Sequence, residues 1–301
     1  MQTEILLATC NGAEFISEQI ESILRQTYTS WHLTLSDDCS SDKTAAIIDD
    51  YVRLYPDKIS RVVSDRHFGN PKDHFFYLIS LTDAPRIVLC DQDDVWFPDK
   101  LKKMNAAMDT VPESIPALVF SDLSVTDAYL NCINPSVFNM EMRNVEDLRW
   151  QTLLFRNVIT GCASMINQAL VKQSLIINQT QDIIMHDWWL GIVAARFGRI
   201  VKLNEPTGYY RRHGRNCVNV VDVRSFSFFI YRIIHINKTP PRIAIRKAQA
   251  ALFLSVYSET LSSMDRAYLS YFITSRFGHA FWKSNSQYIH GVPIFAFLTK
   301  H

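Results

Sequence analysis

Three aspartates within four positions are the strongest chemical signal in the sequence. Asp91, Asp93 and Asp94 follow the apolar run Ile87–Cys90. Carboxylates this close repel one another unless a cation or hydrogen-bond donors compensate. Hard divalent cations such as Mg²⁺ and Mn²⁺ take oxygen ligands, commonly one or two carboxylates together with substrate phosphates. Two interpretations stay open: a metal site that bridges protein and diphosphate, or an acidic turn that caps the next helix.

A second acidic pair ends another apolar run. Asp37 and Asp38 follow Trp31–Leu35, where a carboxylate could accept a hydrogen bond from a nucleobase N–H or a ribose hydroxyl. Serine and aspartate are also the residues expected in a turn, and the stretch Asp37–Asp42 is rich in both. Taken alone, the pair favours the turn.

A histidine among arginines forms the third cluster. His213 lies close to Arg211, Arg212 and Arg215. This composition is typical of a diphosphate clamp in which His213 is a metal ligand. It is equally typical of a solvated basic loop.

The fourth cluster combines an acid with two tryptophans. His186, Asp187, Trp188 and Trp189 stand at the start of a helical pattern. An aromatic wall around the Asp187 carboxylate would raise its pKa and suit a general base. Taken alone, the pattern favours Asp187 as a helix cap with both tryptophans in the core.

Alternating elements must position these residues. Short apolar runs alternate with helical patterns, which indicates βαβ units and a parallel sheet covered on both faces. In such sheets ligands lie outside the carboxyl ends of the strands, so Thr9–Asn11, Asp37–Asp38 and Asp91–Asp94 should meet in one crevice. The sequence has no GxGxxG or Walker motif, which argues against a dinucleotide dehydrogenase and a P-loop NTPase. The expected strands are Ile5–Ala8, Trp31–Leu35, Ile59–Val63 and Ile87–Cys90, and helices open near Pro71 and Pro98.

The alternation loosens after about residue 115. Strands are expected at Leu118–Phe120, within Val158–Ile166 and at Ile200–Leu203, and a helix at His186–Phe197. Beyond Arg224 the patterns are helical only.

Composition bounds the class of protein. The 301 residues are 48% apolar and 20% charged, which excludes a disordered chain and allows two domains or one core with an appendage. Through Cys217 there are 21 basic and 27 acidic residues, whereas the rest of the chain has 10 and 3. The acidic part suits a site built from carboxylates, and the basic tail could meet an anionic surface.

Cysteine usage and hydropathy predict the compartment. The six cysteines are spread singly, which predicts reduced, mostly buried thiols in a cytosolic protein rather than a zinc site or a disulfide framework. We expect no signal peptide and no membrane-spanning helix, because the apolar runs are too short.

The ordered set of motifs resembles the family 2 glycosyltransferases, and most closely their bacterial rhamnosyltransferase-like branch. It covers residues 3 to 216 or so. The segments that carry the resemblance are Ala8–Gly12, Ser22–Thr27, Ser36–Asp42, Cys90–Lys100, Met185–Trp189 and Tyr210–Asn216.

The resemblance implies the fold and the domains. The expected fold is α/β, the GT-A fold, with a Rossmann-like, mostly parallel sheet between helices and a helical C-terminal appendage. Residues 1–217 would form the transferase domain, in which 1–115 bind the nucleotide and 116–217 the acceptor. Residues 218–301 would form the basic helical region.

The resemblance also implies a role for each matching residue. Asp187 matches the catalytic base. Asp93 matches the metal ligand of a DxD motif, and His213, in a segment near the donor diphosphate, is the second metal ligand. The matches to nucleotide-sugar contacts are Thr9, Asn11, Asp37, Asp38, Arg66, Asn70, Asp91, Gln92, Arg211 and Arg212.

Two residues depart from the family pattern. Cys10 stands where an aromatic residue is usual, and Cys39 where glycine is usual. Cysteine tolerates positive φ poorly, so the turn after Asp38 is expected to be stiffer than in the family.

The implied activity is an inverting sugar transfer that depends on Mn²⁺ or Mg²⁺. The donor would be a UDP- or dTDP-sugar, dTDP-rhamnose among them. The acceptor would be a hydroxyl of a glycan or lipid-linked oligosaccharide in bacterial surface polysaccharide synthesis. No nucleic acid is implied as a partner. Uracil and thymine present the same N3–H to the acid that contacts the base, so the sequence does not decide between a UDP- and a dTDP-sugar.

The expected location of the protein in the cell follows from the implied acceptor and from the basic residues 218–301. The protein is expected in the cytoplasm, with peripheral association at the inner membrane face as one alternative. The aromatic segment Phe226–Ile234, flanked by Arg224, could lie on an anionic bilayer. Packing on the catalytic domain, or a dimer contact, is slightly favoured because the aromatic run is not strictly one-sided.

Two rival functions remain. A nucleotidyltransferase also holds a nucleotide and metal at strand ends, but it needs an early basic residue for a triphosphate, and Ala8–Gly12 has none. A non-catalytic binding protein could keep the fold. Asp91, Asp93, Asp187 and His213 argue against it.

Overall fold

The computed structural model describes residues 2–177, 179–216, 220, 222 and 239–275. The aromatic segment Phe226–Ile234 and Cys217 lie outside the described residues.

The secondary structure begins with alternating strands and helices, as expected. The strands are β1 (Thr3–Thr9), β2 (Trp31–Asp37), β3 (Ile59–Val62), β4 (Arg86–Cys90), β5 (Val95–Trp96), β6 (Ala117–Thr126), β7 (Cys132–Asn134), β8 (Ser164–Asn167) and β9 (Arg199–Arg211). The helices are α1 (Ile16–Leu24), α2 (Thr44–Leu54), α3 (Pro71–Ser80), α4 (Lys100–Met108), α5 (Val137–Met140), α6 (Trp150–Leu153), α7 (Gln168–Ser174), α8 (His186–Phe197), α9 (Thr239–Tyr257) and α10 (Ser263–Thr274).

One sheet runs through the described part of the chain in the order β3-β2-β1-β4-β8-β6-β9-β5, with β7 paired to β6. The first four strands are parallel. β8 is antiparallel to both β4 and β6, and β5 is antiparallel to β9. The strands β1 to β4 therefore form a parallel unit, and the sheet as a whole is mixed.

Three expected strands differ from the structure. The strand expected at Leu118–Phe120 runs over Ala117–Thr126. The strand expected within Val158–Ile166 begins only at Ser164, because a 3-10 turn, Gly161–Ala163, precedes it. The strand expected at Ile200–Leu203 extends through Arg199–Arg211 and pairs with both β6 and β5. The residues after Leu203 thus belong to the sheet. The end of β9 lies beside the strand ends of the first half of the chain.

Alternate side chains of the strands fill two cores, one on each face. Ile5 and Leu7 pack with α1, α2 and α4 on one face. Leu6 packs on the other face with α3, α7 and α8. A strand covered on both faces reads as an uninterrupted apolar run, which is the pattern of β1 and β4.

The described C-terminal helices complete the second core. The ring of Phe253 on α9 lies 6.2 Å from that of Trp150 and 5.8 Å from that of Trp189. The hydroxyl of Tyr257 donates to the carbonyl of Gln173 at 2.8 Å. α9 and α10 therefore pack on the same core as α8. No helix in the described residues is long and apolar enough to cross a membrane.

The expectation that the cysteines are mostly buried is wrong for the described residues. All five described cysteines are free thiols, and Cys10, Cys39 and Cys132 are exposed. Cys10 and Cys39 lie in loops at strand ends, and Cys132 lies on the short edge strand β7. Only Cys90 and Cys162 are in the core.

Among the glycines that the structure describes, Gly198 lies closest to the backbone of another segment. It ends α8 where the chain turns into β9, and a Cβ there would lie 1.8 Å from the carbonyl oxygen of Pro116. We expect Gly198→Ala to lower the free energy of unfolding by about 1–3 kcal/mol, because the backbone must shift. Urea denaturation measures this. Gly214→Ala is the control, since a Cβ at Gly214 meets nothing within 4 Å; equal stability of the two variants would contradict the analysis.

Candidate active site

The carboxyl ends of three neighbouring strands form the site, as the sequence predicts. β1 pairs with β2 and with β4, in a register that aligns Thr9 with Asp37 and Leu7 with Cys90. The loops that follow these strands therefore lie side by side.

Side chains at the ends of β1 and β2 bind the two loops together. Asp37 Oδ1 accepts hydrogen bonds from Thr9 Oγ1 at 2.8 Å and Ser40 Oγ at 2.6 Å, and its Oδ2 accepts one from the Ser40 amide at 3.0 Å. Asn11 Oδ1 accepts the Ser41 amide at 2.9 Å. Thr9, Asn11 and Asp37 thus shape the wall of the crevice.

Asp38 anchors a neighbouring loop. Its buried carboxylate accepts the amides of Phe68 at 2.6 Å and Gly69 at 2.8 Å, and lies 3.1 Å from His67 Nδ1. A carboxylate has about four acceptor positions, so three are already occupied. The next residue, Cys39, has φ of 56°, which confirms that the turn needs the left-handed conformation that glycine adopts more easily.

Arg66 and Asn70 flank this loop and differ in role. Asn70 is the N-cap of α3: its Oδ1 accepts the amide of Asp73 at 2.9 Å, and its Nδ2 donates to the Phe68 carbonyl. Its side chain is therefore held by the helix start. Arg66 is exposed and lines an open groove of about 700 Å³ between the loop, α3 and residues 175–180.

Gln92 joins the end of β1 to the acidic cluster. Its amide exchanges two hydrogen bonds with the backbone of Cys10, each 2.9 Å long. A Cβ on Gly12 would lie 2.1 Å from Gln92 Oε1, so only glycine fits beside this pair. Gln92 therefore fixes the loop between Asp91 and Asp93.

Asp93 and His213 meet across the crevice. His213 Nε2 lies 2.8 Å from Asp93 Oδ2, and Asn216 Nδ2 lies 3.4 Å from the same oxygen. The His213 ring stacks on Phe15, with centroids 4.6 Å apart. The contact brings together residues 120 positions apart, which the sequence suggests only through its motifs.

Arg211 is buried and holds the Asp93 loop. Its guanidinium donates to the carbonyls of Asp93 at 2.9 Å and Ala128 at 2.7 Å and pairs with Glu18. It is 3% exposed, and these contacts use three of its five N–H donors; its contact with the donor diphosphate stays a prediction. Arg212 follows, half-buried.

A buried lysine compensates the other two acids of the cluster. Burial, followed by the charge of Asp93, raises the pKa of Asp91 to about 7, and the same two causes raise the pKa of Asp94. Lys100 is fully buried, donates to the Cys162 carbonyl at 2.7 Å and lies 4.4 Å from the Trp96 ring centroid. Lys100 is thus the counter-charge beneath the acidic loop.

The Asp93–His213 pair fits a divalent cation. Asp93 Oδ2 and His213 Nε2 lie within hydrogen-bond distance, 2.8 Å, in this structure, and a carboxylate oxygen and an imidazole nitrogen are both ligands that Mn²⁺ accepts. Asp91, Asp94 and Cys162 also offer ligand atoms within 4.8 Å of one another. That set includes a thiol beside Lys100, which suits a hard cation less well.

Asp187 lies in the first turn of α8, on the far side of the turn Gly161–Ala163. Its Oδ2 accepts the Gly161 amide at 3.0 Å, and its Oδ1 accepts the Trp188 amide at 2.6 Å. Burial raises its pKa to about 6. The N-cap of α8 is Met185, so the capping role considered for Asp187 is wrong.

The favoured alternative, with the tryptophans in the core, is confirmed for Trp189, and Trp188 packs against the same core half-buried. Trp189 is fully buried in the core and donates its indole N–H to the Ser174 carbonyl at 3.2 Å. Trp188 donates to the Leu153 carbonyl at 2.5 Å. Polar neighbours limit the rise in the pKa of Asp187: Asn157 hydrogen-bonds the carboxylate, and the charge of Arg143 acts in the same direction.

Several supporting residues were missed by sequence reasoning. The motifs assign no role to Phe15, Glu18 or Lys100. Lys100 is the first residue of α4, directly before the buried Leu101, and that position is the available signal for a buried counter-charge. Arg143 left no signal, although it donates to Thr160 Oγ1 at 2.7 Å beside the Asp187 turn.

With this site at its strand ends, the chain belongs to glycosyl transferase family 2: residues 4–172 match that family. The protein is a glycosyltransferase with the GT-A fold.

Relatives and solved structures agree with that family. The chain is 29% identical to the dTDP-rhamnosyl transferase RfbG of Shigella flexneri over 221 residues, 70% of this chain and 73% of the relative. Staphylococcus aureus TarS 1-349 in complex with UDP has a similar structure, with a TM-score of 0.56 and 14% identity over 90% of this chain and 87% of the other. Mannosyltransferase PcManGT from Pyrobaculum calidifontis, in complex with GDP-Man and Mn²⁺, gives 0.54 and 14%, covering 98% and 77%.

Asp187→Asn tests the cost of burying this carboxylate. Folding raises the pKa of Asp187 from 3.8 to about 6. A raised folded pKa gives stability that is present below the unfolded pKa and is lost as pH rises through the folded one. The wild type therefore loses stability relative to Asp187→Asn as the pH rises from about 4 to about 8. Urea denaturation should show this difference in the free energy of unfolding grow by on the order of 2 kcal/mol over that range.

Asp147→Asn is the control, because folding lowers the pKa of this carboxylate instead of raising it. A hydrogen bond from Arg149 lowers the pKa of Asp147 to about 2, so this carboxylate is ionised in both states above about pH 5. Its difference from the wild type should stay constant from there to pH 8. If the stability difference between Asp187→Asn and the wild type were also constant with pH, folding would not raise the pKa of Asp187.

Proposed function

We propose that the protein is an inverting, metal-dependent glycosyltransferase. It transfers a sugar from a UDP- or dTDP-sugar to a hydroxyl of a glycan or lipid-linked acceptor. The observation that carries this proposal is the arrangement of two different carboxylate sites about one turn. Asp93 faces His213 at the strand ends, and Asp187, with a pKa of about 6, lies across Gly161–Ala163.

Asp187 is the proposed general base. At pH 7 and above a carboxylate with a pKa of about 6 is mostly ionised and accepts a proton far better than an ordinary aspartate. It would take the proton of the acceptor hydroxyl while that oxygen bonds to the anomeric carbon. The bond from that carbon to the phosphate oxygen breaks on the opposite face, so the configuration inverts.

The leaving diphosphate gains negative charge, and the strand-end site is the proposed place for it. Asp93 and His213 would hold a divalent cation, and a nitrogen ligand favours Mn²⁺ over the oxygen-preferring Mg²⁺. When bound, such an ion stabilises charge on phosphate oxygens. Arg212, half-buried after β9, would add a further positive charge, while Arg211 holds the Asp93 loop in place.

The donor is proposed from the site and from the relatives together. Asp38 and the loop it anchors would accommodate a pyrimidine base. The Shigella relative is named for a dTDP-rhamnosyl donor, and TarS has been solved with UDP. dTDP-rhamnose is therefore the first donor to test, followed by UDP-sugars.

The acceptor and the location are proposed from the chain's division of charge. Residues 1–115 would bind the nucleotide and 116–217 the acceptor, and the basic region 218–301 would favour an anionic, lipid-linked substrate at the inner membrane face in surface polysaccharide synthesis.

Asp187→Asn should abolish transfer and leave nucleotide binding nearly intact, because the amide keeps an acceptor for Gly161 but takes no proton. We expect kcat of the variant to fall at least about 100-fold. In the wild type, kcat/KM should rise with pH through an apparent pKa near 6. Released nucleoside diphosphate measures turnover, and NMR of the product's anomeric centre measures inversion.

Asp147→Asn is the matched control and should retain wild-type turnover. Released pyrophosphate would indicate a nucleotidyltransferase instead, and an active Asp187→Asn variant would refute the assigned base. Nucleotide binding without any turnover would support a non-catalytic protein.

A further inference from the structure

Arg143 is a half-buried arginine that the proposed mechanism does not use. It lies in the loop after α5, its side chain is 15% exposed, and its amide donates to the Phe138 carbonyl at 2.9 Å. Glu141 binds one side of the guanidinium: its Oε2 lies 2.7 Å from both Nε and Nη2 of Arg143. Two donors on one carboxylate fix the orientation of the guanidinium, which leaves Nη1 for other partners.

Nη1 of Arg143 holds the segment that leads into the turn Gly161–Ala163. It donates to the Thr160 hydroxyl at 2.7 Å and to the Val158 carbonyl at 3.1 Å. The residue after Thr160 is Gly161, whose amide donates to Asp187 Oδ2 at 3.0 Å. One guanidinium nitrogen thus fixes two residues of a segment that ends at the Asp187 carboxylate.

Asn157 ties the other end of the same segment to the carboxylate. Its Oδ1 accepts the amide of Ile159 at 3.0 Å, and its side chain hydrogen-bonds Asp187. Residues 157–161 therefore contact Asp187 at both ends, and Arg143 binds them in between. A general base must lie within hydrogen-bond reach of the proton that it takes, so displacement of this segment would slow the reaction.

The positive charge of Arg143 acts on the same carboxylate. Burial raises the pKa of Asp187 to about 6, and the charge of Arg143 limits that rise. Two other titratable groups face Asp187. Burial keeps His186 uncharged at neutral pH, and the pKa of Asp91 is raised by burial, by the charge of Asp93 and, to a smaller extent, by that of Asp187. Of Arg143, His186 and Asp91, only Arg143 is a cation at pH 6 and above.

We propose that Arg143 is a positioning residue for the general base: it holds residues 157–161 against α8 and so keeps the Asp187 carboxylate where it takes the acceptor proton. The assignment rests on the proposed function, in which Asp187 is that base. Arg143 acts through the segment and not on the substrate. Its hydrogen bonds and its positive charge contribute separately, and substitution separates them.

Two variants of Arg143 make this separation. Arg143→Lys keeps the charge, but one ammonium does not span both Glu141 and Thr160, whereas the planar guanidinium does. Arg143→Gln removes the charge as well. We expect Arg143→Lys to lower kcat/KM on the order of tenfold, by the same factor at pH 6 and pH 8.5. Arg143→Gln should lose more at pH 6 than at pH 8.5, because the pKa of Asp187 rises without the cation.

Arg149→Gln is the matched control. The guanidinium of Arg149 is half-exposed and pairs with Asp147 at 2.8 Å, so this variant should keep the wild-type kcat/KM at both pH values. Turnover is measured as nucleoside diphosphate released from dTDP-rhamnose or a UDP-sugar. Asp91 titrates near pH 7 in every variant, and the comparison is therefore made between variants at each pH.

A stability measurement reports on the same coupling without turnover. The difference in the free energy of unfolding between Asp187→Asn and its parent grows as the pH rises, because folding raises the pKa of Asp187. In the Arg143→Gln background this difference should grow further and level off at a higher pH. In the Arg149→Gln background it should follow the wild type.

A loss that is greater at pH 6 in Arg143→Gln, with a loss independent of pH in Arg143→Lys, supports the proposal. Wild-type kcat/KM in Arg143→Lys, or a loss by the same factor at both pH values in Arg143→Gln, overturns it and leaves the proposed function standing. An unchanged stability profile in the Arg143→Gln background does the same. No turnover by the wild type with any of these sugar nucleotides overturns the proposed function, and with it the role of Arg143 in the reaction.

Discussion

Compensation of negative charge at the end of β4 is the constraint on which the site depends. Three carboxylates within four residues cannot all be ionised there without counter-charges. Lys100 is buried beneath Asp91 and Asp94, and its ammonium is held by the Cys162 carbonyl and the Trp96 face. Asp93 instead points to the crevice and meets His213. This division leaves Asp93 as the carboxylate proposed to bind a cation, while Asp91 and Asp94 lie in the protein beside Lys100.

The same charges explain why distant segments converge. β9 must extend to Arg211 for the guanidinium to brace the Asp93 carbonyl, and the chain beyond it then brings His213 to the cluster. The turn Gly161–Ala163 connects the two ends of the site: its Cys162 carbonyl holds Lys100, and its Gly161 amide holds Asp187. A shift of this turn would therefore disturb the counter-charge and the proposed base together.

Local patterns predicted much of this from the sequence. α8 runs from His186 to Phe197 as its periodicity indicates, and the three polar strand ends meet because parallel strands end at one edge. What could not be predicted depends on tertiary contacts. Arg211 has the composition of a diphosphate ligand, yet Glu18, almost 200 residues earlier, holds it within the protein. The 3-10 turn is another such case, because the Gly161 amide bonds Asp187 instead of a neighbouring strand.

The central claim is that Asp93 and His213 form a cation site for a nucleoside diphosphate. Thermal denaturation with UDP and dTDP, each with and without Mn²⁺, tests it most directly, because binding to the folded state raises the Tm by mass action. The account predicts a rise of several degrees that requires Mn²⁺ in the wild type and is lost in Asp93→Asn. A nucleotide-induced rise that is the same without Mn²⁺, or that persists in Asp93→Asn, would contradict it.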